Sequence, residues 1–212
     1  MTKQVKVGNI TLGNGRVVIQ SMTNTLTSDI PATREQILNL HSAGAELVRV
    51  SIPDFESAKA VSELKTTGVS LIGDIHYDYR LAITAIENGI DKIRINPSNT
   101  SASGIKEIIS ACKERNIPIR VGVNKGSVKG SVTPEKLAEK TLESVKMIEN
   151  AGYNEIVAAV KTSDLRETVQ AYRHLKKYCD YPLHIGLTEA GIGEFGLIKS
   201  AIAIGSLLVD GI

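Results

Sequence analysis

Six ionisable side chains sit in or at the ends of short apolar runs: Arg49 between Val48 and Val50, Asp74 before Ile75, Arg94 between Ile93 and Ile95, Arg120 between Ile119 and Val121, Lys161 after Val160, and Glu189 after Thr188. Side chains two apart on a strand share a face, so the isoleucines and valines take one side and the charged groups the other. Arg49, Arg94, Arg120 and Lys161 then stand against Asp74 and Glu189, an excess of two cations facing inward. An unpaired buried charge costs several kcal/mol after relaxation, so that excess asks for an anionic ligand. Arginine's planar fork binds phosphate through two bonds at once, which makes a phosphate or diphosphate the natural counter-charge. The competing reading is an internal network in which Arg49 pairs with Asp74 and Lys161 with Glu189. The two carboxylates can also move protons, with affinities tuned in either direction by burial and by the neighbouring cations.

Other polar residues carry weaker signals. His76 shares the face of Asp74 and either donates to a ligand oxygen or caps the loop that follows its strand. His184 has the inward parity but lies deep in its run, a core or supporting position, while His41 and His174 belong to amphipathic, solvent-facing stretches. Gly186, Gly191 and Gly193 have neither a Walker nor a dinucleotide spacing and shape a loop instead. Asn124-Lys125-Gly126-Ser127 and Asn99-Thr100-Ser101 offer hydrogen-bond donors at helix entrances or are ordinary loop chemistry.

These residues need a frame, and the chain supplies one. Apolar runs at 17–22, 46–51, 70–75, 92–96, 117–123, 155–161 and 182–188 alternate with amphipathic stretches at 33–43, 55–66, 80–88, 105–115, 135–150, 165–178 and 197–209. Strand and helix patterns in strict alternation predict a parallel sheet of repeated βα units. Gly44, Gly68, Gly89 and Gly152 close four of the helices, and Thr133-Pro134 opens a fifth. Val5 to Val7 and Ile10 to Leu12 flank Gly8-Asn9, a hairpin suited to closing the bottom of a barrel. The expected architecture is a TIM (β/α)8-type barrel with seven βα units and its eighth strand missing, one domain over 1–212; the alternative is an open doubly wound sheet. A complete barrel takes about 250 residues, and the 212 here end at Val209-Asp210-Gly211-Ile212, which reads as a helix end before a further strand, hence as a fragment of a longer protein.

Composition narrows the function classes. With 25 basic and 23 acidic residues the net charge of +2 argues against nucleic acid. No apolar run reaches membrane-spanning length, and the N-terminus lacks a signal peptide's apolar core, which points to a cytoplasmic protein. Cys112 and Cys179 fit neither a CxxC motif nor a disulfide framework, and no metal site is expected in this chain.

Taken in order, the strand ends resemble the 4-hydroxy-3-methylbut-2-enyl diphosphate synthases of isoprenoid biosynthesis. The segments that carry the resemblance are Gln20 to Thr25, Val48 to Asp54, Asp74 to Arg80, Lys92 to Pro97, Arg120 to Asn124, Val160 to Asp164, Leu187 to Gly191 and Ile198 to Ala201. They span essentially the whole chain. The resemblance implies an enzyme, a 4Fe-4S oxidoreductase acting on CH or CH2 groups. Its reaction is the reductive ring opening and dehydration of 2-C-methyl-D-erythritol 2,4-cyclodiphosphate, with ferredoxin or flavodoxin as electron donor. It implies Arg49, Arg94, Arg120 and Lys161 on the diphosphate, Asn96, Asn124, Asp74, His76 and Thr188 as neighbouring contacts, and Glu189 as proton donor. In the family the 4Fe-4S cluster belongs to a separate C-terminal domain, which in a homodimer covers the partner's barrel mouth. This chain is therefore expected to bind no cluster, and to bind substrate without turning it over. The competing functions are another phosphate-ligand barrel, such as a pterin-binding synthase, or a non-catalytic anion-binding fragment.

Overall fold

The computed structural model describes residues 2–76, 78–97, 100–127 and 132–212. Asn99 of the expected donor loop lies outside the described residues. The chain opens with a hairpin of β1 (Val5–Val7) and β2 (Ile10–Leu12), turned by Gly8 at φ +55°. Six parallel strands follow in chain order: β3 (Gln20–Met22), β4 (Leu47–Ser51), β5 (Ser70–Asp74), β6 (Lys92–Ile95), β7 (Ile119–Asn124) and β8 (Ile156–Lys161). The helices that alternate with them are α1 (Ile30–Ser42), α2 (Phe55–Leu64), α3 (Tyr79–Glu87), α4 (Ala102–Arg115), α5 (Pro134–Asn150) and α6 (Leu165–Lys176). The last helix is α7 (Gly193–Val209). The sheet is curled, a barrel wall of the expected class, with each strand paired to its sequence neighbour.

Local chemistry sets the helix ends. The side chains of Asp29, Asp54, Asp78, Ser101, Thr133 and Asp164 each accept a backbone N–H from the first turn of the helix they precede. Gly44, Gly68, Gly89 and Gly152 all take positive φ after their helices, as the sequence predicts. These caps fix each helix to the loop that leaves the C-terminal end of its strand, the rim on which barrel sites are built.

The core divides in two. Val48, Val50, Ile93, Ile95, Ile119 and Val121 face the helices and join their apolar stripes in one large cluster. A second, smaller cluster of Val7, Leu47 and Ile72 fills the bottom of the lumen, with Ile10, Leu12 and Val18 packed against it. The hairpin therefore plugs the floor of the barrel, and charged side chains begin at the level of Ile72, which is in register with Arg49 and Lys92.

The seventh expected strand is the main departure. Residues 182–188 touch β8 through one parallel bridge, Ala158 to Leu183. The contact rests on three backbone bonds: Ala158 N–H to Pro182 O, His184 N–H to Ala158 O, and Thr188 N–H to Thr162 O. The segment meets β8 near its two ends and forms no continuous ladder. With β8 on one flank and Gly186, a weak strand former, in the middle, little holds a ladder together. The other edge is short for a similar reason: 17–19 do not extend β3, and Val17 and Ile19 are exposed.

Candidate anion-binding site

The register of the sheet places the charged groups in layers. Asp74 of β5 is the partner of Arg94 of β6, and Arg94 is the partner of Arg120 of β7; above them Asn124 pairs with Lys161. Partnered positions in a parallel sheet share a face, so strand pairing alone gathers these side chains in the lumen.

Asp74 is the hub. It is 4% exposed, accepts a hydrogen bond from Arg94 Nη1 at 3.0 Å, and has Arg49 Nε at 3.7 Å and His76 Nε2 at 3.6 Å. Arg49 Nε also donates to Met22 Sδ at 3.1 Å. The Arg49–Asp74 ion pair weighed from sequence thus exists, with Arg94 as the closer partner. Lys161 does not complete the other weighed pair. Its Nζ lies 3.0 Å from His184 Nε2, while Glu189 is exposed on the rim, its backbone at φ +52°. A non-glycine residue in that region is uncommon and marks a held conformation.

One carboxylate cannot satisfy these cations. Arg120 is 4% exposed, and its Nε and Nη1 have no hydrogen-bond partner among the described residues; neither has Nε of the buried Arg94. Burial first, and then repulsion from Arg49 and Arg94, lowers the Arg120 guanidinium to about 10. Burial lowers Arg49 as well, with Asp74 opposing the shift and Arg94 adding to it. Lys161 is pushed down to about 7 by burial and by Arg120, Arg49 and Arg94. The same burial and the surrounding cations hold His184 well below its ordinary value, so the ring is neutral at pH 7. Asn96 is buried beside this layer, Asn124 and Thr188 are half-buried, and His76 is exposed.

A cavity of about 680 Å³ opens between β3 and residues 182–187 and reaches down the lumen, bordered by Gln20, Met22, Arg49, Lys92, Lys161 and His184. Arg94, Arg120 and Asp74 are packed more tightly and do not border it. Lys92 is the residue the sequence reading passed over. It is 1% exposed and donates to Gln20 Oε1 at 3.3 Å. Its inward parity with Arg94 is legible in the sequence, but it stands at the start of its strand, whereas barrel sites form at strand ends.

The geometry is a lumen with surplus positive charge and, among the described residues, buried N–H donors without partners, an arrangement that can take an anion. Comparison with known proteins agrees with its shape and names its lineage. Residues 2–212 match the GcpE TIM-barrel domain. The chain belongs to that family. A relative from Caldanaerobacter subterraneus subsp. tengcongensis, "4-hydroxy-3-methylbut-2-en-1-yl diphosphate synthase (flavodoxin)", is 47% identical over 222 residues, covering 100% of this chain and 62% of its own. A protein of the same description from Thermotoga petrophila is 47% identical over 216 residues, covering 100% and 63%. The chain thus spans less than two thirds of the length of these relatives.

Among solved structures, the Yersinia pestis dihydropteroate synthase superposes with a TM-score of 0.76 at 13% identity, covering 100% of this chain and 90% of that one. A type I 3-dehydroquinate dehydratase from Clostridium difficile gives 0.68 at 15%, covering 94% and 84%. At such identities the likeness concerns the barrel fold alone. Among the described residues no helix is long and apolar enough to cross a membrane.

Proposed function

We propose that residues 1–212 are the substrate-binding barrel of a 4-hydroxy-3-methylbut-2-enyl diphosphate synthase and that its ligand is 2-C-methyl-D-erythritol 2,4-cyclodiphosphate. The observation that carries this reading is the buried Arg120, with two N–H-bearing nitrogens unpartnered among the described residues and further cations around it. In a family of diphosphate synthases, the diphosphate is the anion that answers them. Arg49, Arg94, Arg120 and Lys161 would take its oxygens, and Asn96, Asn124, Asp74, His76 and Thr188 would orient the ring. Ring opening with loss of a hydroxyl as water needs a proton at that oxygen, and Glu189, held at the rim at φ +52°, is our assignment for it.

The reaction also takes two electrons, which in this family pass through an iron–sulfur cluster. The described residues do not fit a cluster: no three His, Cys, Asp or Glu side chains are grouped so as to hold a metal. Cys112 and Cys179 are both buried, and burial pushes both thiols up, away from the thiolate a cluster needs. We therefore assign this chain binding, orientation and proton transfer. The electrons would come from flavodoxin, the donor in the relatives' description, by way of a cluster domain of the homodimeric full-length enzyme in the cytoplasm.

Calorimetric titration with the cyclodiphosphate tests the binding. Charge-assisted hydrogen bonds are worth about 1.5–3 kcal/mol, so Arg120→Ala should weaken binding about 10- to 100-fold. Glu189→Gln should change it by less than about threefold, corresponding to under 1 kcal/mol. A folded Arg120→Ala variant that binds as well as the wild type would overturn the assignment.

A further inference from the structure

We propose that Lys92, held by Gln20, is the floor of the anion pocket and takes up a proton from solvent as the anion enters, so that binding is proton-coupled at neutral and alkaline pH. The proposal rests on the anion-binding reading and adds a residue and a linkage to it. Lys92 borders the 680 Å³ cavity at the foot of its charged wall, yet is 1% exposed.

Every strand around it bears on its charge. β3 offers Gln20 and Met22, both uncharged, and the hydrogen bond to Gln20 Oε1 orients the amine without neutralising it. β4 and β7 present Arg49 and Arg120, the two charges that repel it. β6 itself carries Arg94 two residues on, β8 carries Lys161, and 182–188 adds His184, which is neutral. β5 supplies Asp74, whose oxygens are engaged by Arg94, Arg49 and, at the rim, His76. Lys92 is thus walled in by cations while the nearby carboxylate is engaged elsewhere. Burial, and then Arg120 and Arg49, bring it from 10.5 to about 7.

Above that pH the free barrel holds a neutral amine on its floor. An entering anion supplies the missing counter-charge, and a proton adds to the Nζ lone pair as the bond that held it to a buffer acid breaks and leaves the buffer's conjugate base; no bond of the anion changes. Lys161, lowered to about 7 in the same field, behaves likewise nearer the rim.

The experiment is calorimetry on the wild type and Lys92→Met at pH 8 in two buffers of different ionisation enthalpy, with the cyclodiphosphate and separately with sulfate. Neither anion titrates near that pH. The wild type should take up about two protons and Lys92→Met about one. From pH 8 to 9 affinity should fall up to about 100-fold in the wild type and about tenfold in the variant. Cyclodiphosphate binding with no buffer dependence, or with equal uptake in both proteins, overturns the proton coupling and leaves the ligand reading intact. Sulfate binding with the expected uptake, without cyclodiphosphate binding, overturns the ligand and upholds the coupling. Binding of neither by folded protein overturns both. Should Lys92→Met not fold, lysine ¹⁵Nζ resonances of the wild type decide the matter. Two should titrate near pH 7 in the free protein and move above about 9 with ligand; resonances that titrate only above 9 in the free protein refute it.

Discussion

Arg120 and Asp74 show how one lumen contains opposite energetics. A buried guanidinium whose Nε and Nη1 lack partners among the described residues carries a desolvation cost that its neighbours do not offset. Arg120→Met should therefore stabilise the ligand-free protein, by about 1–3 kcal/mol, while weakening anion binding. The chain has no tryptophan, so urea unfolding followed by circular dichroism is the suitable measurement. A variant that loses both binding and stability would show that Arg120 is a packing residue. Asp74→Asn should do the reverse. It removes the carboxylate on which Arg94 and Arg49 converge, leaving both cations uncompensated, at a cost of about 3–5 kcal/mol by the same assay. An unchanged midpoint would mean that water enters and screens the lumen.

At the scale of elements, what could be read from sequence depended on how many neighbours an element has. The period-two alternation in β4, β6 and β7 assigned Arg49, Arg94 and Arg120 to the lumen correctly, because each of these strands is flanked on both sides and its parity is enforced by two ladders. Residues 182–188 show the same alternation and 17–19 are apolar throughout, but pairing depends on partners distant in sequence, and there it forms weakly or not at all. The aspartates at 29, 54, 78 and 164 work as helix caps, a local role that the charge count alone did not reveal. The weak ladder predicts a hydrogen-exchange pattern. Amides of Ile185, Gly186 and Leu187 should exchange faster than those of His184 and Thr188, which have carbonyl partners on the β8 side, and all five faster than the amides within β7. Uniform protection across 184–188 would indicate a formed seventh strand. The floor plug gives a second test: at Gly8 a Cβ would lie 2.4 Å from Ser70 Oγ and 2.9 Å from Asp91 Oδ1, on a backbone at φ +55°. Gly8→Ala should cost about 1–3 kcal/mol of unfolding free energy. No change would show that the hairpin does not seat on the strand starts.

For the whole molecule, the buried titratable groups set the pH at which the fold is most stable. Lys92 and Lys161 are lowered to about 7 from 10.5, so above pH 7 the unfolded chain binds more protons than the folded one and stability rises with pH. His184, held well below 6.5, adds a loss of stability as pH falls through that value, because the unfolded imidazole is then protonated and the folded one is not. Cys112 and Cys179, raised from 9.0, and Tyr153 and Tyr172, raised from 10.0, act in the opposite sense. The unfolded chain releases these protons first, so stability declines above about pH 9. The expected curve rises from neutral pH to a maximum near about pH 9, with Lys92 alone contributing about 2 kcal/mol between pH 7 and 9. Urea midpoints at pH 6, 7, 8, 9 and 10 test the shape, and Lys92→Met tests the cause. The variant should exceed the wild type most at pH 6, slightly less at pH 7, and the gap should narrow toward pH 9 as the folded state no longer carries a charged Lys92 and the advantage of the unfolded state in holding that proton shrinks. A gap that stays constant with pH would assign any stabilisation to packing of the methionine and remove Lys92 from the electrostatics of the lumen. An alkaline optimum for the empty fold beside an anion affinity that weakens over the same range would tie both to one cause: cations confined with too few counter-charges, awaiting a ligand that carries them.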